Sequence, residues 1–373
     1  MRAALPDFPW DTLAPYKARA QDHPDGIVDL SVGTPVDPTP RLVQDALAAA
    51  ADAHGYPQTW GTPDLREGVA AWFARRRGVP DVDPDGVLPT VGSKELVAWL
   101  PTLLGLGAGD VVGIPAVAYP TYDVGARLAA ATPVVVEGLT AFGPQTTATR
   151  PRLLWVNSPS NPTGRVLGVA HLTKVVAWAR ANDVVVASDE CYAELGWTPD
   201  GDVPSILDPR VCGGSHEGLL AVYSLSKQSN LAGYRAAFVA GDVALVRQLL
   251  EVRKHAGMIV PWPVQRAMLA ALGDDEHVAE QKARYAARRT SLLDTVGRAG
   301  FRVDASEAGL YLWCTRDRAH GEAGEDAWAS VAWLAERGVL VAPGAFYGAA
   351  GAQHVRVALT ATDERVAAAS ARW

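Results

Sequence analysis

Between residues 87 and 241 the chain alternates short β-rich apolar runs with stretches of helical periodicity, and few folds accommodate that rhythm. The runs are "DVVGIP", "TPVVVE", "RLLWVN", "DVVVASD", "LLAVYSLS" and "RAAFVAG", with helix patterns such as "LGVAHLTKVVAWARAND" between them. Runs apolar on both faces and separated by helices predict an α/β fold with a mostly parallel sheet covered on both sides. Such sheets hold ligands beyond the carboxyl ends of their strands.

Two helices are expected before the sheet. Thr39 and Pro40 open one at "TPRLVQDALAAAADAH". Thr62 and Pro63 open the other at "TPDLREGVAAWFARRRG", which Gly78 closes; "GYPQTWG" between them reads as a loop. After about Gly257, long helical stretches precede strands at "FRVD", "GLYLWCTR", "VLVAPG" and "HVRVALT". The organisation expected is a segment 1–40 packing with a smaller α+β domain at 258–373, around a large domain at 41–257.

Composition narrows the function. A formal charge of −7 argues against a general nucleic-acid or membrane-surface binder. Three cysteines with no C-x-x-C pair suit a reducing compartment, and no histidine spacing suggests a metal site. No apolar run approaches the ~20 residues of a membrane span and the N-terminus lacks a signal-peptide core, so a cytoplasmic protein is expected. Only six lysines occur, Lys17, Lys94, Lys174, Lys227, Lys254 and Lys282, which limits the search for a reactive amine.

Lys227 draws attention because it ends an apolar strand-like run in "YSLSKQSNLAGYR", where an ammonium is costly unless paired or deprotonated. If the following loop turns back, with Gly233 permitting the backbone, Ser224, Lys227 and Arg235 converge. An arginine there suits a phosphate dianion. "VGSKE" opens a helix after a strand, so the backbone N–H groups of Ser93 and Lys94 form an anion nest, although a plain helix start reads the same way. Asp189 ends the strand in "VVVASDECY", with Tyr192 three residues on, and can cap a helix or hold a cation. Asn161 sits in the turn "NPTG". Two rival motifs fail: S-x-x-K at Ser224–Lys227 lacks its S-D-N and K-T-G companions, and "GLGAGD" lacks the dinucleotide spacing.

Together these residues resemble the class I aminotransferases of fold type I, which use pyridoxal 5′-phosphate (PLP). The resemblance covers nearly the whole chain. "YPQTWGTPDLR", "GSKE", "NPTG", "SDECY", "SLSKQSNLAGYRAA" and "VRVALT" arrive in family order and at family spacing.

The resemblance implies a Schiff base between Lys227 and the cofactor aldehyde. It implies that Asp189 holds the pyridinium N–H, that Asn161 and Tyr192 hydrogen-bond the ring oxygen, and that Tyr119, in "PAVAYPTY", stacks on the ring. Ser93, Lys94, Ser224 and Arg235 would bind the phosphate, with Tyr56 reaching it from the neighbouring subunit of a homodimer. Arg356 would clamp the substrate α-carboxylate, under a loop carrying Gly33 and Thr34 in "LSVGTP". Amino acids and 2-oxo acids are the implied substrates.

Across "LPDFPWDTLAPYKARA", "GSKELVAWLPTLLGLG" and "YPTYDVGARLA" the chain resembles actinobacterial N-succinyl-LL-2,6-diaminopimelate aminotransferases of the lysine pathway. Aspartate, alanine or aromatic aminotransferases are same-class alternatives, and a PLP-dependent β-lyase acting on cysteine-S conjugates shares the same lysine and arginine.

Overall fold

A computed structural model describes residues 5–136, 150–198, 201–316 and 325–373. Seven strands form the central sheet, in the spatial order Val87–Val91, Ala236–Gly241, Leu219–Ser224, Val185–Asp189, Leu153–Asn157, Val111–Pro115, Thr132–Val136. All point the same way except Ala236–Gly241, which pairs antiparallel with both neighbours. Each expected strand is present; Glu137, the last residue of "TPVVVE", lies outside the described residues.

The alternation of side chains explains the two-sided burial. Along Leu219–Ser224, Leu219, Ala221 and Tyr223 enter one apolar core, while Leu220 and Val222 enter the other. The first core is closed by Val43, by Leu65, Val69, Trp72 and Phe73, and by Leu172, Val175 and Val176. The second is closed by Leu96, Val97 and Leu100, by Tyr122 and Ala126, and by Val246 and Leu249.

Helix Pro63–Arg77 begins as read, with the Thr62 hydroxyl accepting from Leu65 N–H, and ends at Gly78 in the left-handed region (φ 64°). The cap expected at Thr39 is not made. Pro40 occupies the cap position of helix Arg41–Ala49, and the Thr39 hydroxyl donates instead to the carbonyl of Asn230, 3.3 Å away. A contact to the turn after Lys227 has displaced a local cap, because an exposed N–H can be satisfied by water.

Helix Trp262–Leu272 buries Ala267, Met268 and Leu272 in the first core. The long helix Glu276–Arg298 joins a further core with Tyr311, Leu312 and Val357, under an antiparallel sheet ordered Ala342–Pro343, His354–Ala358, Tyr311–Arg316, Phe301–Val303. The N-terminal segment reaches the same region. Val28–Asp29 pairs with Val339–Leu340, and the Tyr16 ring stacks on Trp328 at 5.4 Å. Among the described residues no helix is long and apolar enough to cross a membrane.

Candidate active site

Strand direction decides where the polar residues meet. Six strands deliver their carboxyl ends to one edge of the sheet, and so bring Asn157, Asp189, Ser224 and the segments leading to Ser93 and Tyr119 there. The reversed strand begins at that edge and brings Arg235, the residue before its first. A cavity of about 570 Å³ lies at this edge. It is lined by Gly33, Thr34, Ser93, Lys94, Tyr119, Asn161, Asp189, Tyr192, Ser224, Lys227, Arg235 and Arg356, so every residue nominated from sequence is here except Tyr56. Tyr56 is fully exposed, in the loop before helix Pro63–Arg77.

Lys227 lies in the short helix Leu225–Gln228, whose start is capped by the Ser224 hydroxyl accepting from Ser226 N–H. Its amine is part-buried and donates to the carbonyl of Gly33. Burial, with the nearby positive charge of Arg356 and Arg235, draws that amine below the usual lysine range, against the opposing influence of Tyr311 and Cys191. The turn after it does not use Gly233 as expected. The residues with left-handed φ are Asn230 (φ 56°) and Arg235 (φ 57°), and Gly233 is not one of them. Hydrogen bonds hold both instead: Asn230 donates to Gln281 Oε1 at 2.9 Å, and Arg235 Nη1 donates to the carbonyl of Ala232 at 2.6 Å.

At the cavity floor Asp189 is buried and has no ion-pair partner among the described residues. Its carboxylate accepts from the Tyr122 hydroxyl at 2.9 Å and from Cys191 N–H at 3.2 Å. Burial pushes its carboxyl up, and these two donors offset only part of that. Tyr122 in turn stacks on Trp155 at 4.8 Å, fixing the donor. Burial also pushes the Tyr119 phenol up to about 12.

Arg356, on strand His354–Ala358, is 2% exposed, which few strand arginines are. It donates to Asn161 Oδ1 at 2.9 Å and to the Ser31 carbonyl at 2.7 Å, and its guanidinium lies 3.9 Å over the Tyr311 ring. With Oδ1 so engaged, Asn161 keeps its amide N–H groups as donors. The Tyr311 and Tyr192 hydroxyls are 3.1 Å apart. Burial raises Tyr311, but Arg356 and Lys227 outweigh it and draw the phenol down; Tyr192, also buried, is raised.

Around Arg235 the backbone makes room. Gly92 (φ 79°) precedes helix Ser93–Leu103, and a Cβ there would overlap the Arg235 guanidinium. Helix N–H groups, two serine hydroxyls and a guanidinium thus face one pocket, which suits a phosphate dianion. An unpaired buried acid suits a protonated ring nitrogen, and an amine with a depressed pKa suits attack on an aldehyde. This donor set fits PLP.

Sequence reading missed Tyr122, Cys191, Ser226 and Tyr311, which also belong to the site. Tyr122 stood three residues after Tyr119, and Tyr311 opened the strand in "GLYLWCTR"; both looked like core aromatics. A buried relay was missed as well: Ser229 Oγ lies 2.8 Å from His277 Nε2, and His277 Nδ1 lies 2.6 Å from Asp274. It lies outside the lining of the 570 Å³ cavity and ties the turn after Lys227 to helix Glu276–Arg298.

Residues 25–372 match the family model for aminotransferase class I and II. A probable aminotransferase of Mycobacterium tuberculosis is 63% identical over 370 residues, covering 99% of this chain and 85% of the relative. The 4-dedimethylamino-4-oxo-anhydrotetracycline transaminase OxyQ of Streptomyces rimosus is 58% identical, covering 99% of each chain. Among solved structures, a probable N-succinyldiaminopimelate aminotransferase of Thermus thermophilus superposes with a TM-score of 0.86 at 28% identity, covering 98% of this chain and 99% of that one. The chain belongs to the class I and II aminotransferases, a PLP-dependent family of fold type I.

Proposed function

We propose that the protein transfers the amino group of N-succinyl-LL-2,6-diaminopimelate to 2-oxoglutarate, using Lys227 as its proton carrier. The observation that carries the catalytic part is the Lys227 amine, depressed by burial, sharing one cavity with a buried arginine and a buried unpaired carboxylate. PLP, when bound, supplies an aldehyde that joins to an amine and a ring that withdraws electrons from the α-carbon.

Ser93 and Lys94 through their backbone N–H groups, with Ser224 and Arg235, would hold the phosphate. Asp189, oriented by Tyr122, would hold the ring nitrogen's proton. Asn161 and Tyr192 would donate to the ring oxygen, and Tyr119 would pack on the ring face. Arg356 takes the substrate α-carboxylate and so sets the direction of the α-C–H bond, while Gly33 and Thr34 lie over it and limit water. Lys227 Nζ would take the proton from the substrate α-carbon and give it up at the carbon that was the cofactor's aldehyde carbon, a task suited to an amine whose pKa is below the usual lysine range. Tyr56, fully exposed in one chain, would reach a second copy's phosphate in a homodimer. Generally dimeric family members support that reading.

The succinylated substrate is supported by the Thermus structure and by the resemblance of the N-terminal and helix segments. A second reading rests on OxyQ: 58% identity over nearly all of both chains supports a bulky cyclic ketone as acceptor. Borohydride reduction of the PLP form followed by peptide mapping should place the tag on the peptide carrying Lys227, and Lys227→Ala should lose both tag and turnover. A tag elsewhere refutes the catalytic reading. The PLP form mixed with glutamate should yield pyridoxamine phosphate, whereas pyruvate release from cystathionine would indicate a β-lyase. Acceptance of the succinylated 2-oxo acid, set against 4-oxo-anhydrotetracycline, decides between the two substrate readings.

A further inference from the structure

Five basic side chains line the cavity, against two carboxylates, in a chain whose formal charge is −7. Three have work in the proposed chemistry: Lys227, Arg235 and Arg356. The ammonium groups of Lys17 and Lys94 have none, and neither makes an ion pair among the described residues. They make up two of the six lysines in a chain that otherwise uses arginine. Lys17 comes from helix Ala14–Gln21 and Lys94 from helix Ser93–Leu103, elements far apart in sequence that meet at this one mouth.

Two aromatic rings line the same cavity. Lys94 Nζ lies 5.4 Å over the Phe8 ring, and Phe8 packs on Trp10 at 5.7 Å. Of the two acids, Asp189 is buried at the floor. Asp29 is nearer the mouth, but its Oδ1 accepts both the Ser31 N–H at 2.9 Å and the Ser31 hydroxyl at 2.6 Å.

From this arrangement we infer that Lys17 and Lys94, backed by Phe8 and Trp10, form a second carboxylate site at the cavity mouth that selects substrates bearing a distal acid. The inference rests on Arg356 as the α-carboxylate ligand. A cavity with a guanidinium at its inner end and two free ammonium groups at its outer end favours an amino acid with a carboxylate at each end, joined by an apolar chain that lies along the two aromatic rings. An acyl-linked dicarboxylate has that chemistry; a neutral polycyclic ketone does not. The two ammonium groups make a local positive potential in a chain that is acidic as a whole, and exposed charges are screened by salt, so the preference should weaken as salt rises.

The test needs no turnover. The PLP-loaded enzyme is titrated calorimetrically with pimelate, which carries two carboxylates and no amine, and with heptanoate, which carries one. Pimelate should bind about five- to tenfold tighter than heptanoate, the effect of one or two exposed ion pairs, and the margin should shrink at high salt. Lys17→Ala should cut that ratio about three- to fivefold, Lys17→Glu should remove it, and Lys17→Arg should keep it. Lys17 is exposed on a surface helix, so these variants should fold. Equal binding of the two acids, or a ratio unchanged in Lys17→Glu, overturns the inference. Failure of the underlying reading looks different: heptanoate affinity would then be indifferent to Arg356→Gln.

Discussion

Replacing Arg288 with methionine should loosen the loop over the active site from a distance. Arg288, on helix Glu276–Arg298, donates to both oxygens of Asp37 at 2.6 and 2.7 Å and to Asp363 at 2.6 Å. Its side chain is 3% exposed and that of Asp37 11%, whereas Asp363 is 72% exposed. Asp37 stands three residues after Thr34. Gln281 bridges from Asp37 to Asn230 in the turn after Lys227, so the pair fastens the loop and the lysine turn to one helix.

Removing one partner of a buried pair costs about 3–5 kcal/mol, because the other charge is stranded. Asp363 is exposed and adds little. Gln281 remains beside Asp37, so the low end, about 3 kcal/mol, is expected. Urea unfolding of the PLP form at one fixed protein concentration measures it.

The pH dependence has a definite sign. Burial pushes the Asp37 carboxyl up, but the hydrogen bonds and charge of Arg288 outweigh this and hold it below the usual range. In the parent protein its contribution is therefore present above about pH 3.9 and is lost as pH falls through the lower folded value. In Arg288→Met burial prevails and the folded pKa is raised, so protonation relieves the stranded charge. The deficit should be largest at neutral pH and shrink on acidification. The double variant Asp37→Leu/Arg288→Met strands no charge and should recover most of the loss. A single-variant loss below about 1 kcal/mol, or a deficit that grows on acidification, refutes the reasoning.

Two further substitutions test the cavity itself. Tyr122→Phe removes a hydrogen bond to the Asp189 carboxylate worth about 1.5–3 kcal/mol, so PLP affinity by equilibrium dialysis at neutral pH should fall about tenfold or more; an unchanged affinity would detach Asp189 from the cofactor. Gly33→Ala puts a methyl group onto the Tyr311 hydroxyl, an overpacking cost of about 1–3 kcal/mol, and kcat/KM should drop about tenfold with the fold retained by circular dichroism; full activity would mean the loop is not seated against Tyr311.

Much of the site was legible because its residues sit where local pattern changes. Asp189, Ser224 and Lys227 fall at the ends of apolar runs, and a run's end is readable without knowing its neighbours. Arg235 was legible as a residue but its backbone was not: the left-handed φ expected to need a glycine is borne by Asn230 and Arg235, held by hydrogen bonds to partners that include the distant Gln281. Thr39 shows the same limit, since its hydroxyl serves a carbonyl nearly two hundred residues away rather than its own helix.

The alternation of strand and helix, the ends of helix Pro63–Arg77, the family and its cofactor could be read from the chain alone, because periodicity, capping and motif spacing are short-range properties. Long-range packing alone buries Arg356, brings Tyr122 to Asp189 and gathers Lys17 and Lys94 at one mouth with Arg356. Burial and charge depend on which surfaces meet in space, and those meetings join segments that no local pattern connects.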